Sequence, residues 1–215
     1  MRVLGLDPSL TNYGWAVHDT ALDTCSDRGR FQTPSSMIFV DRYTQLRDSL
    51  QDLIRQLEPD RVGLESSVFN EYWSEGMYGL FLYTCEALRL QKQDVVLFTP
   101  PQIKSHARVF LQRPAGWEMK KPDMVEAAQK RSSVKSKWNH NEADAYWAAV
   151  TASRFWLLYE KQIKKRDLTE VETHQFTRIK TYKRGKKAGI TEKLGIIHRE
   201  DDRFFLWSEG VPDGS

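Results

Sequence analysis

Cysteine is scarce in this chain of 215 residues, and no long hydrophobic run occurs in it. The two cysteines, Cys25 and Cys85, lack the spacing of zinc ligands, which argues against zinc-binding and disulfide-stapled folds. The longest apolar stretch, residues 145–159, contains an arginine and is too short for a transmembrane helix. Asp7 and Pro8 follow the first apolar residues at once, a pattern unlike that of a secretory signal. We therefore expect a cytoplasmic protein that does not associate with membranes.

The charge of the chain is small but unevenly distributed. Hydrophobic residues make up 40% of the sequence and charged residues 28%, as is usual for a globular protein with one full core. The formal net charge is +3, yet residues 161–187 contain ten Lys or Arg against three Asp or Glu. Two interpretations of this basic block stay open: a contact with the phosphate backbone of a nucleic acid, or a solvated linker.

The order of the hydrophobic patterns predicts an α/β fold, with a mixed five-stranded sheet flanked by helices. Three short strands in succession suit an antiparallel meander, and two later strands, each reached through a helix, suit parallel addition. The predicted strands are residues 2–6, 13–17, 28–32, 61–65 and 95–98, and the predicted helices are residues 37–58, 71–92, 102–112, 122–131 and 139–165.

The C-terminal segment is predicted to lie outside this sheet. A main domain spans residues 1–165, and residues 166–215 form a basic linker and a small β appendage of unknown role. Residues 174–182 and 193–198 have strand-like composition, and residues 204–207 are expected to pair with the second of these strands as a hairpin.

Three acidic residues stand where apolar elements end or are interrupted. Asp7 and Glu65 each close a predicted buried strand, and Asp144 interrupts the apolar sequence of the last long helix. If the two strands are neighbours, these carboxylates meet at one edge of the sheet, where their mutual repulsion calls for cations. Mg²⁺ fits, because hard divalent ions prefer carboxylate oxygens and retain waters. The alternative is that Asp7 is a turn residue and Glu65 a surface residue.

Short motifs surround these acids: residues 4–9 (LGLDPS) with 13–17 (YGWAV), residues 63–66 (GLES) and residues 141–145 (NEADA). In this order they resemble the opening, the second acidic strand and the terminal acidic helix of the RuvC family of Holliday-junction resolvases. The resemblance covers roughly residues 1–160. It implies a ribonuclease-H-like (retroviral-integrase-like) fold and a homodimer that cuts four-way DNA junctions by two-metal hydrolysis. The expected cofactors are two Mg²⁺ ions per active site, for which Mn²⁺ can substitute.

The resemblance also assigns roles near the acids. Lys104 and Lys121 (or Lys120) match the family's catalytic lysines, which would offset negative charge at the phosphate. The family has Asp or His three residues before its last Asp, and this chain has Asn141 there. We therefore expect Asn141 or His140 to complete the metal site, with the second ion bound less tightly than the first.

DNA contacts are expected after the second acid and along basic loops. An aromatic residue near this place wedges into the junction in the family, and Phe69 is its nearest match, with Tyr72 and Trp73 as alternatives; these three are equally compatible with a helix core. Met77, Leu80, Phe81 and Leu88 are predicted to be core or dimer seam. The residues expected to contact phosphates are Lys120, Lys130, Arg131, Lys135 and Lys137.

Three other functions remain open. Actin-like and sugar-kinase phosphotransferases share the strand–Asp–turn–strand opening, but they need a second lobe and an adenosine-binding glycine loop that are not seen here. A non-catalytic junction-binding protein on the same fold is compatible with Asn141. A related nuclease that acts on flaps or other branches is compatible with the same metal chemistry. We predict a metal-dependent, structure-selective endodeoxyribonuclease.

Overall fold

The computed structural model describes most of the chain as one sheet with helices on both faces. Side chains are described for residues 1–66 and 74–176, and of the C-terminal segment four strands are described. The strands are β1 (Arg2–Asp7), β2 (Asn12–Asp19), β3 (Thr24–Gln32), β4 (Arg61–Glu65), β5 (Val95–Phe98), β6 (Lys180–Thr181), β7 (Thr191–Glu192), β8 (Ile196–Glu200) and β9 (Arg203–Leu206). The helices are α1 (Phe39–Leu57), α2 (Glu75–Leu90), α3 (Pro100–Phe110), α4 (Lys121–Ser132), α5 (His140–Tyr159) and α6 (Glu170–Phe176).

The main sheet has the strand order β3-β2-β1-β4-β5-β8-β9. Strands β1 to β3 form the expected antiparallel meander, and β4 and β5 add in parallel through the helical crossovers α1 and α2. The predicted five-stranded sheet is thus confirmed for β1 to β5. The predicted C-terminal hairpin also forms, as β8 and β9, but β8 pairs antiparallel with β5, so the hairpin enlarges the sheet.

Helix α5 packs directly on the sheet, across β1, β2 and β4. This close approach requires glycine at position 5, since a Cβ there would lie 1.9 Å from the carbonyl oxygen of Ala145 and 2.8 Å from the Cβ of Ala149. The alanines of α5 are fully buried, and α3 and α4 cover the side of the helix that faces away from the sheet. The helix is therefore buried on nearly all sides, and Asp144 lies among buried apolar residues.

The opposite face of the sheet is covered by α1 and α2. The apolar positions predicted for α1, among them Leu46 and Leu50, are buried against this face. Leu80, Phe81 and Leu88 of α2 belong to the same core. Of the two roles predicted for them, core or dimer seam, the structure supports the core.

The end of α5 and the start of the C-terminal segment differ from the prediction. Helix α5 stops at Tyr159 instead of near residue 165, and residues 174–176 are the last turn of α6 instead of a strand. Phe176 is 2% exposed and packs against Phe98 and Phe155, so the core of the protein extends at least to this residue. The helix was missed because its seven residues are too short for a helical period to be visible.

The division of the chain into two parts stays a prediction. Most of residues 177–215, including much of the basic block, lies outside the described residues. No helix among the residues that the structure describes is long and apolar enough to cross a membrane.

Candidate active site

One row of residues crosses the sheet at the end of β1. Asp7 is paired with Gly14 on β2, and Gly14 with Arg30 on β3. On the other side, the parallel pairing of β1 with β4 runs up to Leu6 and Leu64, so Glu65 follows beside Asp7. Residues in one such row point to the same face of a sheet. Asp7 and Glu65 therefore share the face on which α5 lies.

The first turn of α5 brings Asp144 to this row. Asn139 caps the helix by accepting a hydrogen bond from the Asn141 backbone N–H (2.9 Å), and Glu142 accepts one from the Asn139 backbone N–H (3.3 Å). The turn rests on β2 where Gly14 leaves room, because a Cβ there would lie 2.2 Å from the Asn141 carbonyl oxygen. Asp144 follows one turn later, on the side of the helix near Asp7.

The three carboxyl groups influence one another strongly. Burial, and then the charges of Glu65 and Asp144, hold the pKa of Asp7 well above its ordinary value. Burial and the charge of Asp144 raise the pKa of Glu65 to about 8, and burial raises the pKa of Asp144 to about 6, with Lys104 opposing both shifts. Three acids lie together, Asp7 and Glu65 at the ends of neighbouring strands and Asp144 on α5, and the charge of Asp144 disfavours the ionised form of the other two.

The acids fit a hard divalent cation. Asp144 Oδ1 is buried and has no hydrogen-bond partner among the described residues, which is a costly arrangement for a carboxylate unless a cation meets it. No three His, Cys, Asp or Glu side chains within residues 1–66 and 74–176 form a ready-made metal cage. Mg²⁺ does not require one, since it is commonly held by one or two carboxylates, waters and substrate phosphates.

Sequence comparison gives several similar proteins, although no family model matches the chain. A protein of Chloroflexus aggregans is 34% identical over 73 residues, which are 33% of this chain and 44% of that protein. A protein of Frankia alni is 31% identical over 111 residues, which are 49% of this chain and 56% of that protein. A protein of Synechococcus sp. (strain CC9605) is 29% identical over 162 residues, which are 71% of this chain and 97% of that protein. All three are named crossover junction endodeoxyribonuclease RuvC, and the chain spans about half the length of the first two.

Structural comparison agrees with the sequence comparison. The Thermus thermophilus RuvC structure matches with a TM-score of 0.59 at 17% identity, covering 73% of this chain and 95% of that one. The chain is similar to RuvC proteins in sequence and shares their fold. A second structure, T. thermophilus RuvC in complex with Holliday junction substrate, matches equally well, with a TM-score of 0.59 at 18% identity. The predicted ribonuclease-H-like fold is confirmed.

Two lysines lie within electrostatic reach of the acids. Lys104 on α3 lowers the pKa of all three carboxyl groups, and Lys121 at the start of α4 lowers the pKa values of Asp7 and Asp144. Lys120 precedes the helix and is exposed, with its backbone N–H donating to Asp123 (2.8 Å). The structure thus brings Lys104 and Lys121 together with the acids, and a catalytic role for either lysine stays a prediction.

The two candidates for completing the metal site have other partners. The Asn141 side chain donates a hydrogen bond from Nδ2 to the backbone oxygen of Asn12, which ties it to β2. His140 Nε2 accepts a hydrogen bond from Lys121 Nζ (3.2 Å), and burial, Lys121 and Arg30 lower the pKa of the imidazole. His140 and Lys121 are thus direct neighbours beside the acids. A metal-binding role for either residue stays a prediction.

The predicted DNA contacts fall into three groups. Phe69, Tyr72 and Trp73 lie outside the described residues. Arg131 ion-pairs with Asp23 and lies over the Phe110 ring, so its guanidinium has partners within the protein. The remaining members of the set are exposed at the surface, although Lys130 also ion-pairs with Glu126 (2.6 Å); they are Lys120, Lys130, Lys135 and Lys137.

Arg28 on β3 is a residue that sequence reasoning missed. Its guanidinium donates to Glu142 (2.6 Å), to Ser136 Oγ (2.6 Å) and to the Lys137 carbonyl (3.1 Å), and it lies 4.0 Å from the Trp138 ring centre. These contacts fasten the loop with Lys135 and Lys137 to the sheet. They join residues more than a hundred positions apart, so no local pattern in the sequence could have indicated them.

A second group of polar side chains is structural, despite its resemblance to a hydrolytic triad. His18 Nδ1 lies 2.8 Å from Ser153 Oγ, and His18 Nε2 lies 3.1 Å from Asp23 Oδ1. Ser153 is fully buried and donates its hydroxyl proton to the Ala149 carbonyl (2.8 Å). A hydroxyl that no substrate can reach is not a nucleophile, so this group does not add a second chemistry.

Proposed function

We propose that this chain is a metal-dependent endodeoxyribonuclease that cleaves four-way DNA junctions. The observation that carries the proposal is the placement of Asp7 and Glu65 side by side on one face of the sheet, with Asp144 of α5 next to them. The names of the relatives and the junction complex of T. thermophilus RuvC support the substrate. We propose that it acts on this substrate in the cytoplasm.

The acids would hold two Mg²⁺ or Mn²⁺ ions, with Asp7, Glu65 and Asp144 as the main ligands. Bound ions of this kind activate a water and neutralise charge at the phosphate. The raised pKa values mean that the empty site prefers protonated carboxyl groups, so ion binding releases protons. Asn141 would supply only its neutral amide oxygen, a weaker ligand than a carboxylate, while its amide nitrogen donates to the Asn12 carbonyl. An ion on that side would therefore be held less tightly.

The lysines complete the site from the side of α3 and α4. Lys104 and Lys121 would place positive charge against the non-bridging oxygens of the scissile phosphate, where negative charge develops. His140 keeps Lys121 oriented by accepting a hydrogen bond from its ammonium group at 3.2 Å. The apolar surroundings of α5 exclude bulk water and strengthen these interactions.

A homodimer would match the two-fold symmetry of a four-way junction. Exposed apolar side chains occur on α2 at Tyr78 (43% exposed) and Leu82 (65%), and at residues 38–40 before and within the first turn of α1. Two copies of the chain that pack against each other through these residues would present two active sites to one junction. The seam therefore uses the outer side of α2, whereas Leu80, Phe81 and Leu88 belong to the core.

Cleavage of an immobile four-way junction in Mg²⁺ or Mn²⁺ tests the function. We expect symmetric nicks in the junction and little cleavage of a linear duplex or a flap of the same sequence. Asp7→Asn is the control and should reduce the rate by at least about 100-fold, as removal of a charge-stabilising group typically does. If the protein bound the junction but cleaved it with neither Mg²⁺ nor Mn²⁺, only the non-catalytic junction-binding function would remain. Preferential cleavage of the flap would show that the substrate is a flap and not a four-way junction.

A further inference from the structure

The row of residues that contains Asp7 ends at Arg30, a positively charged side chain that the site described above does not use. Arg30 stands opposite Gly14, which stands opposite Asp7, so the arginine occupies the same position two strands away. Neighbouring strands lie about 4.8 Å apart, which places the Cα atoms of Arg30 and Asp7 roughly 10 Å from each other. The packing of Gly14 against Asn141 shows which face this is, the face of α5 and the acids.

Arg30 is exposed and, within the described part of the chain, makes no ion pair or hydrogen bond. The contrast with Arg28 is informative, because the two arginines project from the same strand face two positions apart. Arg28 is used internally, in contacts with Glu142, Ser136 and Lys137. Arg30 has no such partner among the described residues, although its charge reaches His140 beside the acids. An unpaired guanidinium at the rim of an acidic site is suited to an anion from outside.

We propose that Arg30 binds a backbone phosphate of the cleaved strand, next to the scissile phosphate. This inference rests on the proposed nuclease function and adds a binding residue to it. Lys104 on α3 and Lys121 on α4 lie near the acids, whereas Arg30 lies at the β3 end of the row. A DNA strand that passes over Asp7 and continues along the row meets Arg30 after the scissile phosphate. The fork of guanidinium donors can grip the two free oxygens of a phosphate.

The test is a salt titration of DNA binding by the full chain, with metal chelated so that no DNA is cut. Arg30→Gln is expected to weaken junction binding about tenfold and to reduce the slope of log affinity against log salt by about 0.9, the value for one phosphate contact. Arg30→Lys should keep the slope. Arg55→Gln is the matched control, since Arg55 is an exposed arginine on α1 that pairs with Asp52. Equal slopes for wild type, Arg30→Gln and Arg55→Gln would overturn the proposal.

A second measurement locates the contact. Two junctions are prepared, each with a neutral methylphosphonate in place of one phosphate, on one or the other side of the scissile phosphate. Each substitution removes a single negative charge from the DNA. At one of the two positions the wild type should lose about tenfold in affinity while Arg30→Gln loses little, since each change removes the same contact. Equal losses for both proteins at both positions would show that Arg30 binds neither phosphate.

Parallel titrations with linear duplex and single-stranded DNA separate this inference from the proposed function. If the wild type shows no preference for the junction, the substrate is refuted, yet a lower slope for Arg30→Gln on the same DNA still supports the phosphate contact. If the wild type prefers the junction and its slope equals that of Arg30→Gln, the phosphate contact of Arg30 is refuted and the proposed function stands. If the wild type binds none of the three DNAs, both are refuted.

Discussion

At the scale of single residues, the acids of the site reduce the stability of the metal-free protein. The pKa of Glu65 in the folded chain is about 8, against 4.5 for a free glutamate. Between these two values the folded state holds a proton that the unfolded state has released, so stability falls as pH rises through this window. The same sign holds for Asp7 and Asp144, whose pKa values are also raised.

Replacing Glu65 should therefore make the chelated protein more stable and inactive. Glu65→Gln cannot ionise, so its free energy of unfolding should exceed that of the wild type by on the order of 1–3 kcal/mol near pH 8 and by little near pH 4.5. Thermal unfolding from pH 4.5 to 8.5 measures this difference.

The exposed Glu118→Gln is the matched control and should follow the wild type at every pH. Saturating Mg²⁺ should cancel the advantage of Glu65→Gln, because the ion stabilises only the wild-type carboxylate. A difference in stability that does not change with pH would contradict the assignment of Glu65 to the buried acidic group.

At the scale of elements, the site depends on how closely α5 lies on the sheet. The turn from Asn139 to Asn141 rests on β2, and the alanines of the helix rest on β1 and β4. Because Asp144 belongs to the helix and Asp7 to the sheet, any shift between the two elements changes the distance between metal ligands. Packing in this layer is thus directly connected to activity.

Gly5→Ala tests this connection. Its Cβ would lie 1.9 Å from the Ala145 carbonyl oxygen, a backbone atom that cannot move without the helix. We expect a loss of about 3 kcal/mol or more, at the upper end of overpacked cores, together with loss of cleavage. Chemical denaturation and the junction assay measure the two effects.

Gly116→Ala is the control, since nothing lies within 4 Å of a Cβ at that position. Its stability should stay within about 0.5 kcal/mol of the wild type, as for ordinary surface substitutions. Wild-type stability and activity in Gly5→Ala would mean that α5 does not lie as close to β1 as described.

At the scale of the whole molecule, the exposed apolar side chains of α2 predict a dimer. Leu82→Glu places a charge in the centre of the proposed seam and should shift the protein toward the monomer in analytical ultracentrifugation. The two nicks in one junction should then lose their coordination, because the second active site is no longer held on the same substrate.

Leu22→Glu is the matched control. Leu22 is 71% exposed in the turn between β2 and β3, away from α2, so this variant should keep the wild-type sedimentation. A wild type that is monomeric at micromolar concentration, or a Leu82→Glu protein that stays dimeric, would refute the proposed seam.

Local patterns in the sequence were sufficient for most of the elements and for the main acids. Alternation and helical spacing depend on neighbours along the chain, so β1, β4 and α1 could be predicted close to their observed bounds. Asp7 and Glu65 could be recognised because a charged residue that ends an apolar strand is itself a local feature. The resemblance to RuvC added Lys104 and Lys121, which the structure brings near the acids.

Tertiary structure alone decided what depends on pairing between distant segments. The register of β1, β2 and β3 places Arg30 in the row of Asp7, the contact with Asn12 occupies the amide of Asn141, and β8 attaches to β5. Each of these results from a choice among partners far apart in the chain, and no local period records that choice. The amino-acid sequence by itself therefore determined which chemistry the protein carries, and the long-range packing decided which side chains are free to perform it.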